Sequence, residues 1–353
     1  MIKHKKWIGK IFRSQPVNFS RYGKICLDKN ERVEKFRRTF LKKFISRIDS
    51  DKINLYPEVS ALYKTLSRFH KFSTNQFVLT SGIDGAIKTC FELFVSKGDK
   101  VVVLQPTFAM VDIYCKISNA RKIGTQYDKN LNLDIRKLTS KIDRKTSLVI
   151  IANPNSPTGT IISKTDMIKV IKKAKNLNIP VLVDEAYYEF CKVTVLPLIK
   201  KYQNLIVART FSKSHGLAGL RIGYLVTNKK IAKILFNLKP MYEINSLGIL
   251  AASMVLKNQK ISKDYTIEIK KGLKILVKFL KKNNISFFKT HANFIYVYAG
   301  KKLNYLYEKM YTSGILVKKG LDVNGYENYL RITLCPPKQI KIVISKLKSL
   351  KSA

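Results

Sequence analysis

The residues best suited to chemistry lie between Arg209 and Tyr224, in the run RTFSKSHGLAGLRIGY. Lys213 is a primary amine there, preceded by a strand-like apolar stretch and followed by Gly216, Gly219 and Gly223. Such an amine can condense with an aldehyde, and the glycines permit the irregular backbone that a closely fitted ligand needs. Arg221, eight residues on, adds a planar cation suited to a phosphate. In a chain with 67 lysines and arginines a lone Ser-Lys pair is an ordinary solvated side chain, and only the setting distinguishes this one. Twenty-nine positions earlier, Asp184 closes the apolar run Val181-Leu182-Val183. A carboxylate at a strand end can hold a cationic heterocycle nitrogen or a metal, whereas an isolated one more commonly caps a helix or bonds to a loop. Amine, carboxylate and arginine together suit an aldehyde cofactor with a phosphate tail.

These groups need a scaffold that brings strand ends together. From about residue 75 to 227, short β-branched runs alternate with helical stretches, the pattern of a mostly parallel sheet covered by helices. Strands are predicted at Phe77–Thr80, Val101–Gln105, Ser147–Ala152, Val181–Asp184, Leu205–Ala208 and Gly223–Thr227, with helices over Asp84–Val95 and Lys164–Lys175. After Lys239-Pro240 the pattern changes to long helices, Ile244–Lys257 and Ser262–Lys282. Strands at Phe294–Tyr298, Ile315–Lys318 and Tyr329–Thr333 and a helix from about Pro337 follow. The expected organisation is an N-terminal arm with part of a small domain (1–50), a large cofactor-binding α/β domain (51–240) and a small C-terminal α+β domain (241–353). Ligands of open α/β sheets sit outside the carboxyl ends of the strands. That rule selects Ser81 to Asp84, Pro106 to Phe108, Asn153 to Gly159, Asp184 to Tyr187 and Thr210 to Arg221.

Composition narrows the class. The chain has 353 residues, 46% of them hydrophobic, and no apolar run nears the roughly 20 residues of a membrane span. A soluble protein without a membrane partner is expected. The basic segment Met1 to Ser20 lacks an apolar core and a cleavage site, so a cytoplasmic location is expected. Trp7, Ile8, Ile11 and Phe12 suit an arm packed on the fold better than a transit peptide or surface helix. Five scattered cysteines form no CxxC pair and four histidines no HExxH pattern, so no metal is expected. The formal charge of +44 comes from lysines spread through every segment, alongside many Ile, Asn, Phe and Tyr, as an AT-rich coding sequence gives. No helix-turn-helix, zinc-finger or RNA-binding aromatic motif accompanies it, so no specific nucleic-acid partner is expected. Weak, salt-sensitive binding to polyanions follows from the charge alone.

Eight blocks, in order, carry a resemblance. They are Leu27 to Glu31 (LDKNE), Asn54 to Pro57 (NLYP), the Ser81-Gly82 turn, Asn153 to Gly159 (NPNSPTG), Asp184 to Tyr187 (DEAY), the Lys213 run, Ala292 to Phe294 (ANF) and Leu330 to Thr333 (LRIT). Over most of its length the chain resembles the fold-type I pyridoxal phosphate enzymes, specifically the class I/II aminotransferases of the histidinol-phosphate aminotransferase group. The resemblance implies pyridoxal 5′-phosphate as cofactor, with Lys213 condensing with its aldehyde and Asp184 pairing with the pyridine nitrogen. It implies that Tyr187 and Ser156 reach the ring O3′, that Phe108 stacks on the ring, and that Ile83, Asp84, Thr210, Ser212 and Arg221 surround the phosphate. Tyr56 then reaches the phosphate of a neighbouring subunit, which implies a homodimer with shared active sites. Arg331, Lys318 and Asn30 are the implied substrate-binding residues, and the partners are a small amino donor and a 2-oxo acid.

Three departures bear on specificity. Ser156 stands in place of a usual Asn, Gly85 in place of an acidic residue after Asp84, and Lys318 in place of an Arg that often helps bind a substrate phosphate. Lys318 keeps the charge and loses the fork. The expected activity is transfer of an amino group from a small anionic amine to a 2-oxo acid in a biosynthetic pathway, with histidinol phosphate and 2-oxoglutarate as the best substrate pair. The alternatives are an aminotransferase of another pathway, a threonine-phosphate decarboxylase-like enzyme, and a basic nucleic-acid-binding protein that has kept the fold without the chemistry.

Overall fold

Successive residues of a strand face opposite sides of a sheet, so a run of consecutive apolar residues is buried only where both faces are covered. The central strands meet that condition. In the computed structural model, which describes residues 5–12, 20–320 and 325–352, Val102, Leu104, Val149, Ile151, Val181, Val183, Leu205 and Val207 enter one hydrophobic cluster. Their neighbours Val101, Val103, Leu148, Ile150, Leu182, Ile206 and Ala208 enter another on the opposite face.

The strands in chain order are β1 (Ile25–Cys26), β2 (Phe77–Thr80), β3 (Lys100–Gln105), β4 (Arg121–Gln126), β5 (Thr146–Ala152), β6 (Val181–Asp184), β7 (Leu205–Thr210), β8 (Gly223–Val226), β9 (Phe294–Tyr298), β10 (Ile315–Leu316), β11 (Lys318–Lys319) and β12 (Tyr329–Thr333). Among the described residues, seven of them form one sheet in the order β2-β8-β7-β6-β5-β3-β4. All its pairs are parallel except those that β8 makes with β2 and β7. This is the mostly parallel α/β sheet read from the sequence, with one strand, β4, that the sequence reading did not predict.

The covering helices show the matching period. Met167, Val170, Ile171 and Ala174 of the helix Lys164–Lys175 are buried on one face, and Ile83, Ala86, Ile87 and Cys90 of the helix Gly82–Phe94 on the other. A third cluster gathers Tyr265, Leu276 and Leu280 of the long helix Lys260–Lys282 with strand residues Phe294, Ile295, Leu330 and Ile332. It also takes in Leu27 and Tyr187, and so ties the N-terminal segment and the large sheet to the antiparallel sheet β11-β12-β9. The predicted strand Ile315–Lys318 is two short strands instead. β10 pairs in parallel with β1, while β11 pairs with β12.

The Trp7 indole N–H donates to the Ile117 carbonyl at 3.0 Å, so this part of the arm packs on the fold. Other parts of the basic segment, residues 1–4 and 13–19, lie outside the described residues. No helix among the described residues is long and apolar enough to cross a membrane.

Candidate active site

Strand direction gathers the chemistry on one edge of the large sheet. Asp184 ends β6, Thr210 ends β7, and the loops after β3 and β5 begin Pro106-Thr107-Phe108 and Asn153-Pro154-Asn155-Ser156. Because β8 runs the other way, its first residue reaches the same edge, and Gly223 pairs with both Thr80 and Thr210. That register brings the Ser81-Gly82 turn, Ser212 and Arg221 together although the sequence separates them by up to 140 positions.

The Ser81-Gly82 turn is built for close approach. Gly82 has φ +71°, and a β-carbon there would lie 2.9 Å from Arg221 Nη2. Gly223 packs so tightly that a β-carbon would lie 2.8 Å from the Gly82 Cα. The helix Gly82–Phe94 starts at this point with Ile83 and Asp84 in its first turn, and Ser81 supplies no side-chain cap. The first backbone N–H groups and the helix dipole therefore favour an anion. Arg221 reaches the turn from the other side: its Nη2 donates to the Ser81 carbonyl at 3.4 Å, and its own backbone is left-handed at φ +53°. Ser212 and Thr210 are buried nearby and bonded to each other, Thr210 Oγ1 to Ser212 Oγ at 3.0 Å. Asp84 accepts the Tyr114 hydroxyl at 3.1 Å.

Asp184 is buried, with Oδ1 accepting the Ala186 N–H at 2.9 Å. Burial pushes its carboxyl up to about 6, against the opposing pull of that N–H and of the Lys213 ammonium. A carboxylate so placed at a strand end is suited to a cationic ring nitrogen, which would offset the desolvation. Glu185 beside it is engaged elsewhere, accepting Nε and Nη2 of buried Arg209 at 3.1 and 2.7 Å together with the Thr194 hydroxyl and the Val195 N–H.

Lys213, Tyr187, Phe108, Ser156, Asn30, Lys318 and Arg331 line one cleft of about 680 Å³. Lys213 Nζ donates to the Lys29 carbonyl at 3.3 Å and lies 5.4 Å from the centre of the Tyr187 ring. Buried Asn30 donates through Nδ2 to the Tyr187 hydroxyl at 3.0 Å, and its Oδ1 accepts the Thr333 hydroxyl at 3.1 Å. Its positive φ of 58° is one that Asn tolerates better than most side chains. Lys318 and Arg331 are register partners on adjacent strands, so two cations stand side by side on one wall. Arg331 is mostly buried and donates through Nη2 to the Asp28 carbonyl.

Tyr56 stands apart. It is 73% exposed, stacks on Tyr242 with ring centres 4.1 Å apart, and lines a separate groove of about 440 Å³ with Leu55, Ile249 and Met254. Within one chain it is therefore not a wall of the cleft that holds Lys213.

Several residues of the site were not expected from the sequence. Thr333 orients Asn30 and lies two positions after Arg331 on the same strand, a spacing that could have flagged it. Tyr307 and Tyr311, four apart on the helix Leu303–Thr312, also line the cleft with Lys29 and Lys319. No cluster of three or more metal-ligating side chains occurs among the described residues.

The site fits pyridoxal phosphate: an amine for the aldehyde, a buried carboxylate for the ring nitrogen and a glycine turn with an arginine for the phosphate. Comparison with known proteins agrees. The profile of the family "Aminotransferase class I and II" matches residues 22–347. A histidinol-phosphate aminotransferase of Caldanaerobacter subterraneus subsp. tengcongensis is 33% identical over 332 residues, covering 93% of each chain. The crystal structure of the histidinol-phosphate aminotransferase from Clostridium acetobutylicum superposes with a TM-score of 0.83 at 26% identity, covering 93% of this chain and 99% of that one. That of Sinorhizobium meliloti, in complex with pyridoxal-5′-phosphate, gives 0.81 at 23% identity over 92% and 91%. The chain belongs to the class I and II aminotransferases and is a pyridoxal phosphate-dependent aminotransferase of fold-type I.

Proposed function

We propose that this aminotransferase moves the amino group of histidinol phosphate to a 2-oxo acid such as 2-oxoglutarate, and that the cleft around Lys213 is where the transfer occurs. The observation that carries the reading is the pairing of Lys318 with Arg331 on the wall of the cleft that also holds Lys213. Two adjacent cations suit a substrate pair in which both partners bring an anion, a phosphate in one half-reaction and a carboxylate in the other. The names of relatives about one-third identical over nearly the whole chain support the choice of amine.

When bound, the cofactor supplies an electron-withdrawing ring that takes up the electron pair left as the substrate Cα–H bond breaks. The chain does the rest. Asp184, as a carboxylate, holds positive charge at the ring nitrogen. Tyr187 receives a hydrogen bond from Asn30, which leaves its own hydroxyl proton to donate toward O3′. Lys213 would take the proton from the substrate Cα as a general base and, as its conjugate acid, return it to C4′ of the cofactor. Phe108 would cover a ring face, Ser156 would add a hydroxyl beside it, and Ser212, Thr210, Arg221 and the helix N–H groups of Ile83 and Asp84 would hold the phosphate. The 51–240 segment carries these groups, while Asn30, Lys318 and Arg331 bring the substrate side from the flanking segments, and the helix Ser246–Lys257 packs into the core of the large sheet.

The groove beside Tyr56, with exposed Ile53, Leu55, Met241 and Tyr242, suits a second copy of the chain, so the working form is a homodimer in which Tyr56 serves the partner's site. A cytoplasmic setting fits the five free cysteines.

The test is a half-reaction. The pyridoxal form mixed with histidinol phosphate should convert to pyridoxamine phosphate with one keto product per site. If histidinol phosphate leaves the spectrum unchanged while another amine converts it, the substrate assignment fails. With threonine phosphate as the amine instead, carbon dioxide released without the matching keto acid would indicate a decarboxylase.

A further inference from the structure

Gly85 departs from the family pattern, which places an acidic residue there, and the structure shows what occupies the space. Glu243, from the segment before the helix Ser246–Lys257, extends its carboxylate over Gly85, and a β-carbon at Gly85 would lie 2.6 Å from Glu243 Oε1. The same oxygen accepts the Ser81 N–H at 2.9 Å. Ser81 is thus held at both ends of its backbone, by a carboxylate at its N–H and by the Arg221 guanidinium at its carbonyl. The turn so clamped is the one whose Gly82 has no room for a side chain against Arg221.

Glu243 Oε2 is buried without a hydrogen-bond partner among the described residues. A carboxylate half-satisfied in this way costs stability, so packing alone does not explain its presence. Its one bond instead goes to the residue just before the helix whose N-terminus faces the anion site.

We propose that Glu243 is a positioning residue for the phosphate end of the cofactor site. Admitted by the bare Gly85, it fixes the Ser81 peptide so that the helix N–H groups and Arg221 converge on one phosphate. The carboxylate over this turn comes from 158 residues further along the chain than Gly85. The inference rests on the reading that the cofactor phosphate sits at the start of the helix Gly82–Phe94.

The experiment measures equilibrium binding of pyridoxal phosphate and of phosphate-free pyridoxal to the cofactor-free full-length protein, by absorbance. In Glu243→Ala, affinity for pyridoxal phosphate should fall about tenfold, the worth of one hydrogen bond to a charged group, while affinity for pyridoxal changes by less than about twofold. Glu243→Gln keeps an acceptor for Ser81 N–H and should stay within about threefold of wild type. Gly85→Ala should weaken pyridoxal phosphate binding in the wild type and add little in the Glu243→Ala background, because the clash it creates is with Glu243. Thermal unfolding of the cofactor-free proteins separates these effects from a loss of folding. If wild type binds both compounds equally, the phosphate assignment itself fails. If wild type prefers the phosphorylated form and Glu243→Ala keeps that preference, or loses both affinities alike, the role of Glu243 is refuted and the phosphate assignment stands.

Discussion

Asp184 is expected to weaken the cofactor-free protein, and Asp184→Asn should make that protein more stable. Burial raises the folded-state carboxyl from 3.8 to about 6. Between those values the folded state binds more protons than the unfolded state, so stability falls as pH rises through the window, and the penalty is complete above about pH 6. A shift of roughly two units corresponds to about 3 kcal/mol at pH 8 and about half as much at pH 5, as upper bounds. Asparagine can still accept the Ala186 N–H through Oδ1 and cannot ionise, so the variant should lose this pH dependence. Urea unfolding of cofactor-free wild type and variant at pH 5 and pH 8, followed by circular dichroism, gives the comparison. The midpoint for Asp184→Asn should be higher, with the larger gap at pH 8. A variant less stable than wild type at pH 8, or a gap that does not change with pH, would refute the reasoning. With cofactor bound the order should reverse, because a cationic ring nitrogen gives the carboxylate its missing partner.

Other substitutions test the remaining parts of the site. Arg221→Ala should weaken pyridoxal phosphate binding by about 10- to 100-fold, measured by absorbance titration, since one charge-assisted fork is lost. Arg331→Lys keeps the charge and loses the planar fork, so steady-state kinetics should show KM for the anionic substrate rising about tenfold or more, with a smaller change in kcat. Mixing inactive Lys213→Ala with a Tyr56→Ala variant should restore up to about a quarter of wild-type activity if subunits exchange, because half the dimers are mixed and each has one intact site. No recovery after exchange would show that Tyr56 acts within its own chain or not at all.

Much of the large sheet was legible because its strands are consecutive β-branched residues buried on both faces, a pattern few surface segments share. Phe77–Thr80 and Val181–Asp184 have the predicted ends. The strand Arg121–Gln126 escaped notice because it lies at the sheet edge, with Arg121, Lys122 and Gln126 breaking the apolar pattern and Gly124 weakening it. Lys213, Asp184 and Arg221 could be picked out because each follows or borders a strand within a short motif. The contacts that orient them could not. Asn30 meets Thr333 across 303 positions, with only the spacing of Thr333 from Arg331 as a hint, and Glu243 meets Ser81 across 162, with nothing local to mark it. The Ile315–Lys318 segment read as one strand, yet Val317 interrupts the pairing so that Lys318 joins β12 opposite Arg331. That local break creates the paired cations on which the substrate assignment depends.

The most direct test of the site is to locate the bond between protein and cofactor. Borohydride reduction of the protein loaded with pyridoxal phosphate, followed by proteolysis and mass spectrometry, should place one reduced pyridoxyl group per chain on the peptide containing Lys213. The label should vanish in Lys213→Ala. Stoichiometric label on any other lysine, or equal labelling of the Lys213→Ala protein, would contradict the account.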